Sequence, residues 1–127
     1  MKTINAKGRL TNAEFELMEG VWRTDEPITS ATIMTNLANG KDWKPTTVLT
    51  LLGKLADKGY IAGIKQGRSY VYTVLVSREE YLKQETTSFL SRLYQGSLKN
   101  MVAALYDDKT ISREDLDELA RWFKEEG

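Results

Sequence analysis

The segment that most constrains the fold is 44–74, KPTTVLTLLGKLADKGYIAGIKQGRSYVYTV. Pro45 suits the first helical position, because its missing N–H would lack a partner there in any case. Apolar residues then recur at helical spacing. At about 100° per residue, Val48, Leu51, Leu52 and Leu55 fall on one side of a helix. Thr46, Thr47, Thr50, Lys54 and Asp57 fall on the other, with Gly53 among them. Gly59 supplies a left-handed stop. The period then changes to two, and 61–65 and 69–74 read as paired strands around a Gln66-Gly67-Arg68 turn. A helix with a threonine-rich wet face feeding a small basic hairpin is the plan of a winged helix-turn-helix.

The flanking sequence supplies the helices that this plan needs. In 11–22, TNAEFELMEGVW, Thr11 and Glu14 form a capping box and Leu10 and Phe15 a hydrophobic staple. Phe15, Met18 and Trp22 follow at helical spacing, with Leu17 and Val21 beside them. Thr29 or Ser30 can cap a short helix reaching about Leu37, with Ile33, Met34 and Leu37 on its apolar side and Asn39-Gly40 as its stop. Beyond the hairpin, Ser77 and Glu80 form a second capping box, stapled by Val76 and Tyr81, for a helix to about Tyr94. Gln95-Gly96 breaks that helix. Ser97 starts another through about Tyr106, and Ser112, with Asp115 in the box position and Ile111 and Leu116 as staple, starts the last. The expected fold is mainly α with a small β-hairpin. It divides into a winged helix-turn-helix domain over 1–76 and a C-terminal helical dimerisation arm over 77–127.

Composition narrows the chemistry. The 127 residues include no cysteine and no histidine, which removes disulfides, zinc fingers, iron–sulfur ligation and thiol or imidazole catalysis together. Neither a phosphate-binding Walker loop nor a Gly-x-Gly-x-x-Gly fingerprint is present, and no carboxylate or lysine constellation has catalytic spacing. The chain reads as a non-enzyme without a cofactor. It has no apolar run of transmembrane length, and the opening MKTINAKGRL has no signal-peptide core, so the expected location is cytoplasmic. Net charge is zero, but 1–76 holds ten Lys/Arg against seven Asp/Glu, and 77–127 eight against eleven. The basic balance lies on the half with the helix and hairpin.

Thr46, Thr47 and Thr50 lower helix propensity, so a merely solvated face has little reason to prefer them. In a major groove their hydroxyls can meet phosphates or base edges and their methyls thymine methyls. Gly53 lets the backbone approach closely. Lys44 at the helix start, Lys54 on its face, and Lys65 and Arg68 in the wing are candidate phosphate contacts. Trp43 reads as an anchor for the helix end. Tyr70 and Tyr72 share a hairpin face and read as packing residues. The plainer reading, a wet helix face and a soluble hairpin, loses ground because the whole helix-helix-helix-hairpin frame surrounds these residues.

LTNAEFELMEGVW, TTVLTLLGKLADKGYI, the hairpin ending YVYTV and FLSRLYQGSLKNMV, in this order, resemble the penicillinase-repressor family of the BlaI/MecI type, from about Leu10 to Trp122. The resemblance implies a homodimeric bacterial repressor that binds inverted repeats built around TACA and TGTA and blocks resistance genes. It implies DNA contacts by Lys44, Thr46, Thr47, Thr50 and Lys54, with Arg68 in the wing. Leu49 stands at a position that is often basic in the family. Some members are inactivated by cleavage after a membrane sensor detects a β-lactam, so a regulatory protease or sensor pathway enters as an expected partner. The corresponding region here is near Ala104 and Leu105, where Ala-Leu replaces an Asn-Phe bond. A copper-responsive branch carries a C-terminal cysteine cluster that this chain lacks.

The last fifty residues carry much apolar surface for three short helices, and a partner chain is the economical way to bury it. Phe89, Leu90, Leu93, Leu98, Met101, Val102, Leu105, Leu116, Leu119 and Phe123 are the expected dimerisation residues. Two other functions fit the same pattern. One is a regulator that senses a small molecule in an apolar pocket lined by Tyr and Trp. The other is a winged helix used for protein contact without DNA.

Overall fold

Capping chemistry sets where the helices begin in the computed structural model, which describes residues 8–37 and 42–126. Thr11 accepts from the Glu14 N–H at 3.2 Å while Glu14 accepts from the Thr11 N–H at 2.8 Å, opening α1 (Asn12–Arg23). Thr29 and Thr32 form the same reciprocal pair at α2 (Ser30–Thr35). This helix stops short of Leu37 because the Asn36 amide donates back to Thr24 Oγ1 and to the Thr32 carbonyl. The expected stop at Asn39-Gly40 lies outside the described residues. Pro45 opens α3 (Pro45–Lys58), and Gly59 closes it at φ 86°, a left-handed conformation that glycine adopts without steric cost.

Strands β1 (Ile61–Gln66) and β2 (Ser69–Val74) pair antiparallel with Gln66 opposite Ser69, one rung further than the sequence suggests. The loop is therefore just Gly67-Arg68, with Gly67 at φ 63°, as a tight two-residue hairpin requires. The Tyr72 N–H also donates to the Ile28 carbonyl at 2.8 Å, tying β2 to the turn before α2. Ser77 and Glu80 cap α4 (Arg78–Tyr94) reciprocally. Gln95 and Gly96, both at positive φ, end it. Ser97 caps α5 (Leu98–Asp107), and Ser112 with Asp115 caps α6 (Arg113–Glu126).

The chain divides into two compact units, one ending at Glu85 and the other starting at Thr86. The first holds the buried core: Leu17, Met18 and Val21 of α1, Ile33 of α2, Val48, Leu52 and Leu55 of α3, and Tyr60, Ile61 and Tyr72. Tyr81 belongs here rather than with the apolar surface of the arm. It is buried against Phe15, Trp22 and Tyr60, and the Leu10 N–H donates to its hydroxyl. Burial, reinforced by Tyr81, Glu85 and Glu14 nearby, pushes the Tyr60 hydroxyl up to about 12. The second unit is different. Neither α5 nor α6 contains a fully buried residue. Among the described residues no helix is long and apolar enough to cross a membrane, and no cluster of three or more acidic groups could hold a metal ion.

Candidate nucleic-acid interface

The two sides of α3 part as its periodicity demands. Val48, Leu52 and Leu55 are 0% exposed, and Leu51 packs half-buried on the same core. Thr46, Thr47, Thr50, Gly53, Lys54 and Asp57 are all exposed. The helix thus presents one continuous polar arc, held rigidly from behind by its own apolar rows. Lys44 stands exposed at the N-cap, and Trp43 packs half-buried against the core as an anchor. Asp57 shares the arc near its C-terminal end, where it would repel phosphate. The useful part for an anion is therefore the N-terminal stretch from Lys44 to Lys54, which also has the positive end of the helix dipole.

Thr50 Oγ1 donates to the Thr46 carbonyl at 2.9 Å. The hydroxyl proton is thus spent inside the helix, leaving the oxygen as an acceptor and the methyl as an apolar contact. This detail was not legible in the sequence, because the same threonine can turn either way.

Charge pairing separates the cations of the first unit into two kinds. Lys58 donates to Glu14 Oε1 at 2.6 Å and to the Arg9 carbonyl, and Arg9 and Arg78 reach Glu85 and Glu19. Among the described residues no salt bridge engages Lys44, Lys54, Lys65 or Arg68. All four are exposed. Lys65 lies opposite Tyr70 near the hairpin end, and Arg68 occupies its loop. These side chains are accessible to an external anion. The Glu14–Lys58 pair is structural: burial alone would raise the Glu14 carboxyl, but Lys58 and the Thr11 N–H outweigh it and hold it below its ordinary value. Sequence reading missed this pair, whose members lie far apart in the chain with no local signal linking them.

Tyr70 and Tyr72 stack at a ring distance of 6.3 Å, with Tyr72 buried and Tyr70 exposed. The hairpin aromatics are thus divided: one anchors the wing and the other covers it. In the second unit, Phe89, Leu93, Leu98, Leu119 and Phe123 are exposed, and Leu90, Met101, Val102, Leu105 and Leu116 are half-buried. Ala104 and Leu105 sit inside α5, so a protease would reach their peptide bond only after local opening of that helix.

The chain is similar to several known proteins. The sequence profile of a family described as penicillinase repressor matches residues 10–125. The penicillinase repressor of Bacillus licheniformis is 31% identical over 92% of this chain and 91% of its own. The methicillin resistance regulatory protein MecI of Staphylococcus aureus is 25% identical over 91% of this chain and 93% of its own. A solution structure of the DNA binding domain of the repressor BlaI aligns at 31% identity and a TM-score of 0.49, covering 64% of this chain and 94% of that one.

Proposed function

The chain belongs to the penicillinase repressor family, and from that premise we propose that it is a homodimeric transcriptional repressor occupying an inverted-repeat operator. The observation that carries this reading is the exposed arc of α3, with Thr46, Thr47, Thr50 and Lys54 beside the exposed Lys44. Its threonines meet base edges and its lysines meet phosphates, while Lys65 and Arg68 of the hairpin add phosphate contacts at the flank. A TACA/TGTA-like repeat is the operator proposed, and β-lactam resistance genes are the target suggested by the names of its relatives. DNA binding is assigned to residues 1–76 and dimerisation to 77–127, with the start of α4 through Glu85 packing in the first unit. Dimerisation runs through the apolar residues of α4, α5 and α6, since one short helix reads too few base pairs alone.

A small-molecule sensor would want an apolar pocket lined by Tyr and Trp. Among the described residues, a hollow of about 490 Å³ at the turn between α5 and α6 is lined by Tyr106, Ile111 and Ser112 with Asp107, Lys109 and Arg113, a mixed and charged lining rather than an apolar one of Tyr and Trp. The test is fluorescence anisotropy on a labelled TACA/TGTA inverted repeat against a scrambled duplex of equal length. Preference for the repeat, reduced by Thr50→Ala, is the expected result. Equal binding to both duplexes at every salt concentration would refute the operator assignment.

A further inference from the structure

We propose that Leu49 is a specificity-determining residue of this contact, an apolar probe that packs on the 5-methyl group of a thymine in the major groove. The inference rests on the DNA-reading role proposed for α3. Val48, Leu52 and Leu55 of this helix are 0% exposed, whereas Leu49 is 51% exposed and takes no part in the core. One exposed leucine is ordinary on any protein surface. Its neighbours make the case.

Leu49 lies three residues after Thr46 and four before Gly53, the spacings that bring helical side chains onto one face. A Cβ added at Gly53 would meet nothing within 4 Å, so an open notch flanks the leucine. Nearby, the hydroxyl proton of Thr50 is already donated to the Thr46 carbonyl at 2.9 Å. The patch formed by Thr46, Leu49, Thr50 and Gly53 therefore carries no charge, few spare donors and a concentration of methyl groups.

That chemistry selects its ligand. Guanine is read by donors aimed at O6 and N7, and adenine by a paired donor and acceptor, and this patch supplies neither arrangement. Thymine presents its C5-methyl in the major groove, the base-edge feature that an uncharged, methyl-rich surface can recognise. Leu49 contributes the largest apolar side chain to that surface.

The test uses the intact protein and TACA/TGTA inverted-repeat duplexes in which each thymine in turn is replaced by deoxyuridine, a change that deletes only the methyl. At one thymine of each half-site, wild-type affinity is expected to fall about fourfold, the worth of one buried methyl-sized group. Leu49→Ala, whose fold is checked by circular dichroism, is expected to bind the parent duplex about fourfold or more weakly. It is also expected to be indifferent to deoxyuridine at that position. Leu49→Arg is expected to move the preference at that step toward G·C, since arginine reads guanine. Wild type that ignores every replacement overturns the inference, as does Leu49→Ala retaining the full wild-type methyl dependence. In both cases preference for the parent over a scrambled duplex shows that the operator reading survives. Wild type binding parent and scrambled duplexes alike overturns both.

Discussion

A nearly buried carboxylate, Glu14, joins the first helix to the third. Its side chain is 3% exposed and accepts from the Lys58 ammonium at 2.6 Å and from the Thr11 N–H at 2.8 Å. Removing its charge leaves Lys58, itself only 27% exposed, without its counter-ion. Glu14→Gln is therefore expected to cost about 2 kcal/mol of stability at pH 7 in urea unfolding; a loss below about 0.5 kcal/mol would contradict the role given to the pair. The pH dependence has a definite sign. The folded carboxyl lies below its ordinary value of 4.5, because the Lys58 and Thr11 hydrogen bonds outweigh the opposing effect of burial. Its contribution is complete above pH 4.5 and is lost as pH falls through the lower folded value. The stability gap between wild type and Glu14→Gln should narrow over that range, and a gap constant with pH would contradict it. Residue-scale pairings of this kind were the least legible part of the sequence. The Thr11–Glu14 capping box could be read from spacing alone, but its second use as the Lys58 partner depends on α1 meeting α3.

The elements themselves were largely legible, because each end carries its own local chemistry. The boxes at Thr11, Ser77 and Ser112 and the left-handed glycine at Gly59 all lie where their spacing puts them. The discrepancies have local causes too: Asn36 ties off α2 early, and a two-residue loop lengthens β1. The arc of α3 was equally readable, since period alone separates Val48, Leu52 and Leu55 from Thr46, Thr50 and Lys54. Gly53 lies in the interior of that helix with open space where a Cβ would be. Gly53→Ala should therefore raise thermal and urea stability by about 0.5–1 kcal/mol. The same substitution is expected to weaken operator binding if the bare backbone is where DNA approaches. Unchanged or lower stability would contradict the helix-interior account, and the two readouts are independent.

At the scale of the whole molecule, the apolar surface left exposed by the second unit is the feature behind the proposed dimer. Leu98 and Leu93 are more than half exposed, and so are Trp122 and Phe123 at 54% and 69%. A two-fold pair of chains buries such surface with self-complementary contacts. Phe123→Asp combined with Leu119→Asp is expected to raise the dimer dissociation constant by about tenfold or more in sedimentation experiments. Operator affinity should fall with it although α3 is untouched. An unaltered association state would place the interface elsewhere. The sequence pointed to this surface through its apolar count, while Tyr81, read there as a staple at the start of α4, is captured by the first core.

The central claim is that two copies of α3 engage one inverted repeat together. The measurement that tests it most directly is an anisotropy and sedimentation titration on an inverted-repeat duplex and on one with about five base pairs, half a helical turn, inserted between the half-sites. The account predicts two chains on the intact repeat and a steep salt dependence. With about eight phosphates neutralised per dimer by Lys44, Lys54, Lys65 and Arg68, the log–log slope should lie near about −7. It also predicts that the insertion sharply weakens binding, because both half-sites can no longer be met at once. One chain per duplex, with affinity indifferent to the insertion, would contradict it.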